Sequence, residues 1–139
     1  MKTKAVIPAF VDIIPDRLEE GALYICERYS TAIHKCCCGC GEEVVTPLTP
    51  AGWSVSKQGD RVSLSPSIGN WDYKCRSHYL IINNQVIWAG ALSQRQVEQV
   101  KARDKADNEA YIAAVNLKKD REASLWFRFT KFLRYIFRK

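Results

Sequence analysis

The sequence lacks any uninterrupted apolar stretch long enough to cross a membrane. A spanning helix needs about 18 or more uncharged apolar residues, and no such run occurs in the 139 residues. Lys2 and Lys4 precede a short apolar stretch, but Pro8, Asp12 and Pro15 interrupt it and no small-residue cleavage site follows. We therefore expect neither a transmembrane helix nor a secretory signal peptide, and we predict a cytoplasmic protein.

An excess of charge of one sign is also missing from most of the chain. The 139 residues include 21 Lys and Arg against 15 Asp and Glu. Eight of the basic and two of the acidic residues follow residue 116, which leaves thirteen of each sign before it. A basic face on the folded domain is typical of nucleic-acid binding, so the neutral main part argues against that function. The composition indicates one globular domain with a basic C-terminal tail.

Short strand-like runs alternate with turn residues along residues 1–92. The runs are ALYICE, TAIHKC, EVVTPL, WSVSK, RVSLS, HYLIIN and QVIWA, and the turn signals between them include TPAG, QGD and SIGN. This alternation predicts a small, mostly antiparallel β domain. From Ser93 the composition becomes helical, and Ser93 with Gln96 makes a capping-box pattern. We predict an α+β fold in which a helix over residues 93–120 packs on the β domain or extends from it.

A basic amphipathic helix is predicted for residues 121–139. Apolar residues recur at helical spacing on one face, and these are Leu125, Phe129, Phe132, Leu133 and Ile136. Basic residues lie mainly on the other face, and these are Arg128, Lys131, Arg134 and Arg138. Aromatic residues beside Lys and Arg suit an anionic membrane interface. For residues 124–139, peripheral attachment to the inner membrane, docking in the groove of a partner and packing on the chain's own domain all fit this pattern.

Clustered cysteines indicate a metal site. Six cysteines are present, and four of them lie in CCCGC at residues 36–40. In a reducing compartment such a cluster is more typical of metal binding than of disulfides. A structural zinc site needs four donors, usually two close pairs from separate segments. The second segment is CRSH, which offers Cys75 and His78, and Gly39 and Gly41 permit a tight turn. Zinc is therefore the predicted cofactor, and it would stabilise the β domain.

The choice of ligands rests on which cysteines share a face. Alternate residues of an extended segment point the same way, so Cys37 is expected to point away from its neighbours. The predicted ligand set is Cys36, Cys38, Cys40 and Cys75. A closed set of four thiolates makes the zinc structural. His78 is an alternative ligand, in a competing set with Cys38, Cys40 and Cys75. Cys26, alone in a predicted strand, is expected to be a small core residue.

The sequence also contains the residue types of a serine hydrolase. A serine nucleophile needs a base within hydrogen-bond reach and a group that orients the base. The chain has two histidines, His34 and His78, and both lie beside the cysteine motifs. Ser67, in PSIGN, is expected where a strand breaks into an exposed turn. We predict Ser67 as nucleophile with His34 and His78 as base and orienter. The alternatives are a backbone-capping Ser67, a zinc-bound His78 and a merely polar His34.

The segments LEEGALYI, HKCCCGCG, PSIGNW and CRSHYL carry a resemblance to a known family. Over roughly residues 13–90 the chain resembles small bacterial and phage proteins with the motifs H-x-C-x-C-G-C-G, P-S-[IV]-G-N-W and C-x-S-H-[YF]. That family is associated with bacterial ubiquitination-like (Bub-type) operons, which also encode a ubiquitin-like protein and E1-like and E2-like enzymes. The resemblance implies a peptidase-like role on the ubiquitin-like protein, and it makes these proteins the expected partners.

Three functional classes remain open on the sequence. The first is a zinc-stabilised serine peptidase-like protein that processes a ubiquitin-like protein or its conjugates. The second is a non-catalytic zinc-binding adaptor of such a conjugation system or of a phage-defence system. The third is a zinc hydrolase in which His34, His78 and a thiolate hold a catalytic metal, and the surplus of thiolates argues against it. The separation of Ser67 from a histidine distinguishes the first class from the second.

Overall fold

The computed structural model describes residues 1–136, in which eight strands precede one long helix. The elements are β1 Ile7–Phe10, β2 Ala22–Cys26, β3 Thr31–Lys35, β4 Glu43–Pro47, β5 Ser54–Gln58, β6 Arg61–Gly69, β7 His78–Ile82, β8 Gln85–Trp88 and α1 Gln94–Ile136. The seven predicted strands correspond to β2 through β8, and the predicted α+β fold class is confirmed. β1 was not predicted, because Pro8 weakens a strand pattern, and β1 is indeed an edge strand.

The strands form two sheets of four, in the orders β1-β2-β3-β4 and β5-β6-β7-β8. β1 is parallel to β2, and the other neighbouring strands are antiparallel. Buried and exposed residues alternate along β4 and β7, as expected for strands with one face in a core. The buried side chains of both sheets belong to one hydrophobic cluster, which includes Leu23, Ile25, Val44, Leu64, Ile68 and Ile81.

The segment before β1 contacts both the β7–β8 hairpin and the cysteine-rich turn. The Val6 N–H donates to the Asn84 carbonyl at 2.7 Å, and the Thr3 N–H donates to the Cys37 carbonyl at 2.7 Å. β1 then pairs with β2 in the first sheet. This segment therefore holds the cysteine-rich turn against the rest of the β structure through backbone hydrogen bonds.

β6 carries Ser67, and its pairing with β7 is irregular at that point. Leu64 pairs with Ile81, whereas Ile68 pairs with Tyr79, so the register shifts between Leu64 and Ile68. The extra residues form a bulge, and pairing resumes before β6 ends. Ser67 therefore lies within a strand, at a bulge, and not in the turn that the sequence suggested.

α1 begins with the predicted capping box. The Gln96 Oε1 accepts hydrogen bonds from the Ser93 N–H at 2.9 Å and from the Ser93 Oγ at 2.8 Å. Both helical segments predicted from the sequence lie in this one helix, although residues 137–139 of the predicted tail fall outside the described residues. Inter-residue contacts divide the chain into a unit of residues 1–101 and a second unit that begins at Ala102. Within residues 1–136, no helix is long and apolar enough to cross a membrane.

Candidate active site and metal centre

Four cysteine side chains converge where β3 ends. They are Cys36, Cys38, Cys40 and Cys75, and their sulfur atoms all lie within 4.8 Å of one another. The Cys36 Sγ is 3.4 Å from the Cys38 Sγ and 3.9 Å from the Cys75 Sγ. All six cysteines are free thiols, so no disulfide occupies these sulfur atoms. The four residues can hold a metal ion.

A tight turn brings Cys36, Cys38 and Cys40 together. The sequence prediction had grouped them by assuming an extended strand. β3 ends at Lys35, and the Gly39 N–H donates to the Cys36 carbonyl at 3.0 Å. Gly39 and Gly41 have φ angles of 83° and 85°, which glycine adopts at little steric cost. Cys37 is buried and lies outside the sulfur cluster. The same cysteines that the sequence predicted therefore lie together, but a turn and not an extended strand positions them.

The sulfur spacing fits a tetrahedral four-thiolate site. Zn–S bonds of about 2.3 Å place tetrahedral sulfur atoms about 3.8 Å apart, which is close to the Cys36 distances given above. The Ser77 Oγ lies 3.1 Å from the Cys36 Sγ and 3.5 Å from the Cys75 Sγ. The Asn70 Nδ2 donates to the Cys36 Sγ at 3.5 Å. Hydrogen-bond donors around ligating atoms are the outer shell that orients metal ligands.

Burial and hydrogen bonding have opposite effects on the pKa values of these thiols. Burial raises the pKa of Cys38 and of Cys40. Burial acts in the same direction on Cys75, but hydrogen bonds from the Ser77 hydroxyl, the Ser77 backbone and the neighbouring thiols outweigh it, and they lower the pKa of Cys75 to about 7. Cys75 is therefore closer to ionisation at neutral pH than Cys38 or Cys40.

Ser67 and His78 meet on the face of the second sheet that is turned away from the core. The Ser67 Oγ lies 3.1 Å from the His78 Nε2, and the His78 Nδ1 lies 3.1 Å from the Gly90 carbonyl oxygen. Because a carbonyl can only accept, Nδ1 carries the ring proton and Nε2 is left to accept from the Ser67 hydroxyl. This arrangement lets the imidazole act as a general base for the serine.

Trp71 lies over the backbone beside this pair. Its ring centroid is 4.9 Å from that of the His78 imidazole, with an angle of 56° between the rings. A Cβ atom at Gly69 would overlap the indole, so the absence of a side chain there lets the indole approach β6. The neighbouring Asp72 is exposed and forms an ion pair with Lys101. Its carboxylate therefore binds a lysine and does not orient a histidine.

His34 lies on the opposite face of the second sheet from Ser67. Its Nε2 is 2.9 Å from the Tyr79 hydroxyl, and Tyr79 follows His78 in β7, where successive side chains point to opposite faces. Burial lowers the pKa of His34 to about 4, and Nδ1 has no hydrogen-bond partner within the described residues. Between residues 1 and 136, no hydrogen bond joins His34 to Ser67 or His78. The structure thus brings together two of the three predicted catalytic residues.

Comparison with known protein families matches residues 10–89 to the family described as "Bacterial ubiquitination-like system serine protease (BubE)". The matched region covers more than half of the chain and contains Ser67, His78 and the four clustered cysteines. The chain belongs to this family. The predicted membership of a Bub-type family is therefore confirmed, and the family description implies a serine protease-like role in such a system. No curated protein and no solved structure matches the chain.

Two residues near the site were not identified from the sequence. The BubE match ends one residue before Gly90, whose contribution is a backbone carbonyl that any residue type supplies, so no side-chain pattern points to it. Asn70 donates through Nδ2 to the Ser77 Oγ at 2.8 Å and to the Tyr79 hydroxyl at 3.5 Å. A buried asparagine that links the metal ligands to the core is visible only once its neighbours are known.

Proposed function

We propose that this protein is a serine hydrolase that cleaves a peptide or ester bond at the C-terminus of a bacterial ubiquitin-like protein or of its conjugates. The observation that carries the proposal is the 3.1 Å contact between the Ser67 Oγ and the His78 Nε2. The substrate class comes from the family description, which names a ubiquitination-like system. The ubiquitin-like protein and its E1-like and E2-like enzymes are the proposed partners.

In the proposed reaction Ser67 is the nucleophile and His78 is the base. The His78 Nε2 takes the hydroxyl proton while the Ser67 Oγ attacks the substrate carbonyl carbon. The adduct collapses to an ester on Ser67 as the imidazolium returns this proton to the leaving amine or alcohol. Water, deprotonated by the same nitrogen, then hydrolyses the ester and regenerates the serine. The Gly90 carbonyl holds the Nδ1 proton throughout, which preserves the required tautomer.

The orienting group in this proposal is neutral. The Gly90 carbonyl can fix the imidazole ring, but it stabilises the imidazolium less than a buried carboxylate would. His34 takes no proton-transfer step here, because its Nε2 is bound to Tyr79 and the second sheet separates it from Ser67. The chemistry therefore rests on one serine, one histidine and one backbone carbonyl.

We propose zinc as the metal of the cysteine cluster, in a structural role. Four thiolates from Cys36, Cys38, Cys40 and Cys75 complete a tetrahedral shell and leave no position for water or substrate. Bound zinc would hold the turn after β3 against Cys75, three residues before His78. His78 itself is engaged at both ring nitrogens, which supports the four-cysteine set over the set that includes His78. It also supports attack by Ser67 over attack by a metal-activated water.

We further propose a cytoplasmic protein that the C-terminal part of α1 attaches to the anionic surface of the inner membrane. Large side chains of this part are mostly exposed, at 64% for Leu125, 68% for Trp126, 52% for Phe129 and 58% for Phe132. The basic residues of the same stretch are Arg128, Lys131 and Arg134, and no acidic residue follows Glu122. Exposed aromatic groups with unopposed positive charge suit anionic headgroups, and this charge favours a lipid surface over a neutral groove.

The hydrolase proposal is tested with a fluorophosphonate probe on the full chain. Attack by the Ser67 Oγ on phosphorus would release fluoride and leave a covalent adduct that peptide mass spectrometry assigns to a residue. We expect the adduct on Ser67, and its loss in His78→Ala. A chain that carries no adduct on Ser67, but still binds the ubiquitin-like protein, would favour the non-catalytic adaptor.

A further inference from the structure

We propose that the substrate binds as an added β-strand along the edge of β6, at residues 66–69. The substrate would bind at the proposed site as an extended peptide, through its main-chain N–H and C=O groups. The identity of the cleaved bond rests on the function proposed above, whereas the binding mode rests on the backbone geometry of β6. The two are therefore tested separately.

This part of the β6 edge has no partner strand within the described chain. β5 begins at Ser54, which pairs with Ser65, and β6 continues to Gly69. On its other side β6 remains paired with β7 as far as Gly69 and His78. β6 thus extends past the start of β5, and its edge is unpaired at residues 66–69. This unpaired stretch, the open step, includes the residue proposed as nucleophile.

Backbone hydrogen bonds show which main-chain groups face this open step. The Asn70 N–H donates to the Ser77 carbonyl at 2.9 Å, and the Ala89 N–H donates to the His78 carbonyl at 2.9 Å. Asn70, and Ile68 two residues before it, therefore direct their main-chain groups toward β7, while His78 directs its own toward β8. Because successive residues of a strand point these groups in opposite directions, Ser67 and Gly69 direct theirs to the unpaired edge.

A peptide main chain is the occupant that complements these groups. The N–H and C=O of two alternate residues recur at the spacing of an antiparallel or parallel ladder, so an extended segment can pair with both. An unpaired edge of this kind is otherwise a site for association with another strand. The side chain of Ser67 stands on the same residue that would pair with the substrate, so strand addition would bring a substrate carbonyl beside its Oγ.

Binding is tested with the full-length Ser67→Ala variant, which leaves the probe intact. The probes are peptides that span the C-terminal tail of the ubiquitin-like protein of the system, unmodified or N-methylated at one backbone amide at a time. An added strand donates from every second residue. We therefore expect N-methylation to weaken binding by about tenfold at alternate positions and to have little effect between them. Amide hydrogen exchange at Gly69 should slow when the unmodified peptide binds.

Several results would overturn strand addition. These are a peptide that fails to bind, N-methyl effects without alternation, and a dimer of the chain that occupies the edge and that the peptide does not displace. Fluorophosphonate labelling of the wild-type chain separates the two proposals. If Ser67 is labelled but the N-methyl effects do not alternate, the hydrolase proposal stands and strand addition is wrong. If the N-methyl effects alternate but Ser67 is not labelled, strand addition stands and the hydrolase proposal is wrong.

Discussion

The contact between Ser67 and His78 is a diagonal pair across two antiparallel strands. Gly69 is the residue directly opposite His78, and Ser67 stands two residues earlier on the same face. Diagonal neighbours of this kind lie about 7–8 Å apart, which long side chains can bridge. The imidazole reaches across to Ser67, and the Trp71 indole packs beside it in the space that a side chain at Gly69 would fill. The pairing of β6 with β7 thus sets the geometry of the proposed dyad.

Replacement of Ser67 by Ala should lower turnover by about 10³-fold or more, because it removes the proposed nucleophile. Cleavage of a C-terminally extended ubiquitin-like protein would be followed by mass spectrometry under single-turnover conditions. Ser65→Ala is the matched control, since Ser65 is an exposed serine on the same strand, and it should stay within about twofold of wild type. Equal activity of the two variants would exclude Ser67.

The two histidines should differ in what they affect. His78→Ala should abolish fluorophosphonate labelling of Ser67, because no other described side chain accepts the hydroxyl proton. His34→Gln should lower the melting temperature, since His34 is buried against Tyr79. It should leave the labelling rate within about threefold of wild type, because His34 lies on the opposite face of the sheet. Loss of labelling in His34→Gln, with its fold intact by circular dichroism, would return His34 to the catalytic set.

Gly69→Ala should displace Trp71 from its place beside His78. The added methyl group would overlap the indole, and overpacking of this kind costs about 1–3 kcal/mol of unfolding free energy. Thermal unfolding measures that loss, and the quenching of tryptophan fluorescence reports the movement of the indole. Gly90→Ala is the stability control, because nothing lies within 4 Å of its Cβ position. A Gly69→Ala variant as stable as Gly90→Ala would show that the indole has room to move.

Very little of α1 is buried. Among its described residues only Val97 is buried. Its C-terminal part exposes aromatic side chains, whereas the apolar side chains of a helix usually pack against a core. Salt bridges at the helical spacing Lys105–Glu109 and Lys118–Glu122 occur before this part. The change from paired charges to unopposed positive charge therefore occurs within one helix.

Removal of positive charge from the end of α1 should weaken attachment to anionic vesicles. Each basic residue near such a surface contributes about 1 kcal/mol, so Arg128→Gln, Lys131→Gln and Arg134→Gln together should lower the partition coefficient by about 100-fold. Co-sedimentation with phosphatidylglycerol-containing vesicles, at low and high salt, measures it. The matched control replaces Lys105, Lys118 and Lys119 by Gln. An equal loss in both triple variants would contradict a specific role for the terminal part.

One short segment of the chain links the cysteine cluster to the proposed dyad. Cys75 contributes to the sulfur cluster, and His78 begins β7 three residues later. Ser77 lies between them and contacts both Cys36 and Cys75. A metal that joins the turn after β3 to Cys75 would therefore stabilise the position of His78 as well as the two sheets.

Purified chain should contain one zinc ion, and its removal should unfold the β domain. Structural zinc contributes about 10 kcal/mol or more in small sites. This is comparable to the whole free energy of unfolding of a small domain, about 5–15 kcal/mol. Metal content by mass spectrometry, with circular dichroism during chelation, measures both effects. Cys75→Ala should lose the metal, whereas Cys26→Ala, a buried cysteine outside the cluster, should keep it. A metal-free chain with an intact fold would contradict the proposal of a structural zinc ion.

The sequence was enough to predict most of the strands, although it missed β1 and placed Ser67 in a turn and not in β6. Short β-branched runs between glycine, proline and asparagine signals predicted β2 through β8, and Ser93 with Gln96 predicted the start of α1. The clustered cysteines and the distant Cys75 were likewise sufficient to predict a metal site. Strand and cap signals depend on residue type and on near neighbours along the chain, and the metal-site prediction depends on the chemistry of cysteine, so neither requires knowledge of the strand pairing.

Which of these residues lie together depends on how the strands pair and fold. The register shift in β6 places Ser67 diagonally from His78, and the alternation of β7 sends Tyr79, with His34 beside it, to the opposite face. The Gly90 carbonyl reaches the imidazole because the chain leaves β8 at that point. The open step beside β6 exists because β5 is shorter than its neighbour. The register and the relative lengths of paired strands control these features, and a periodic sequence pattern does not specify either of them.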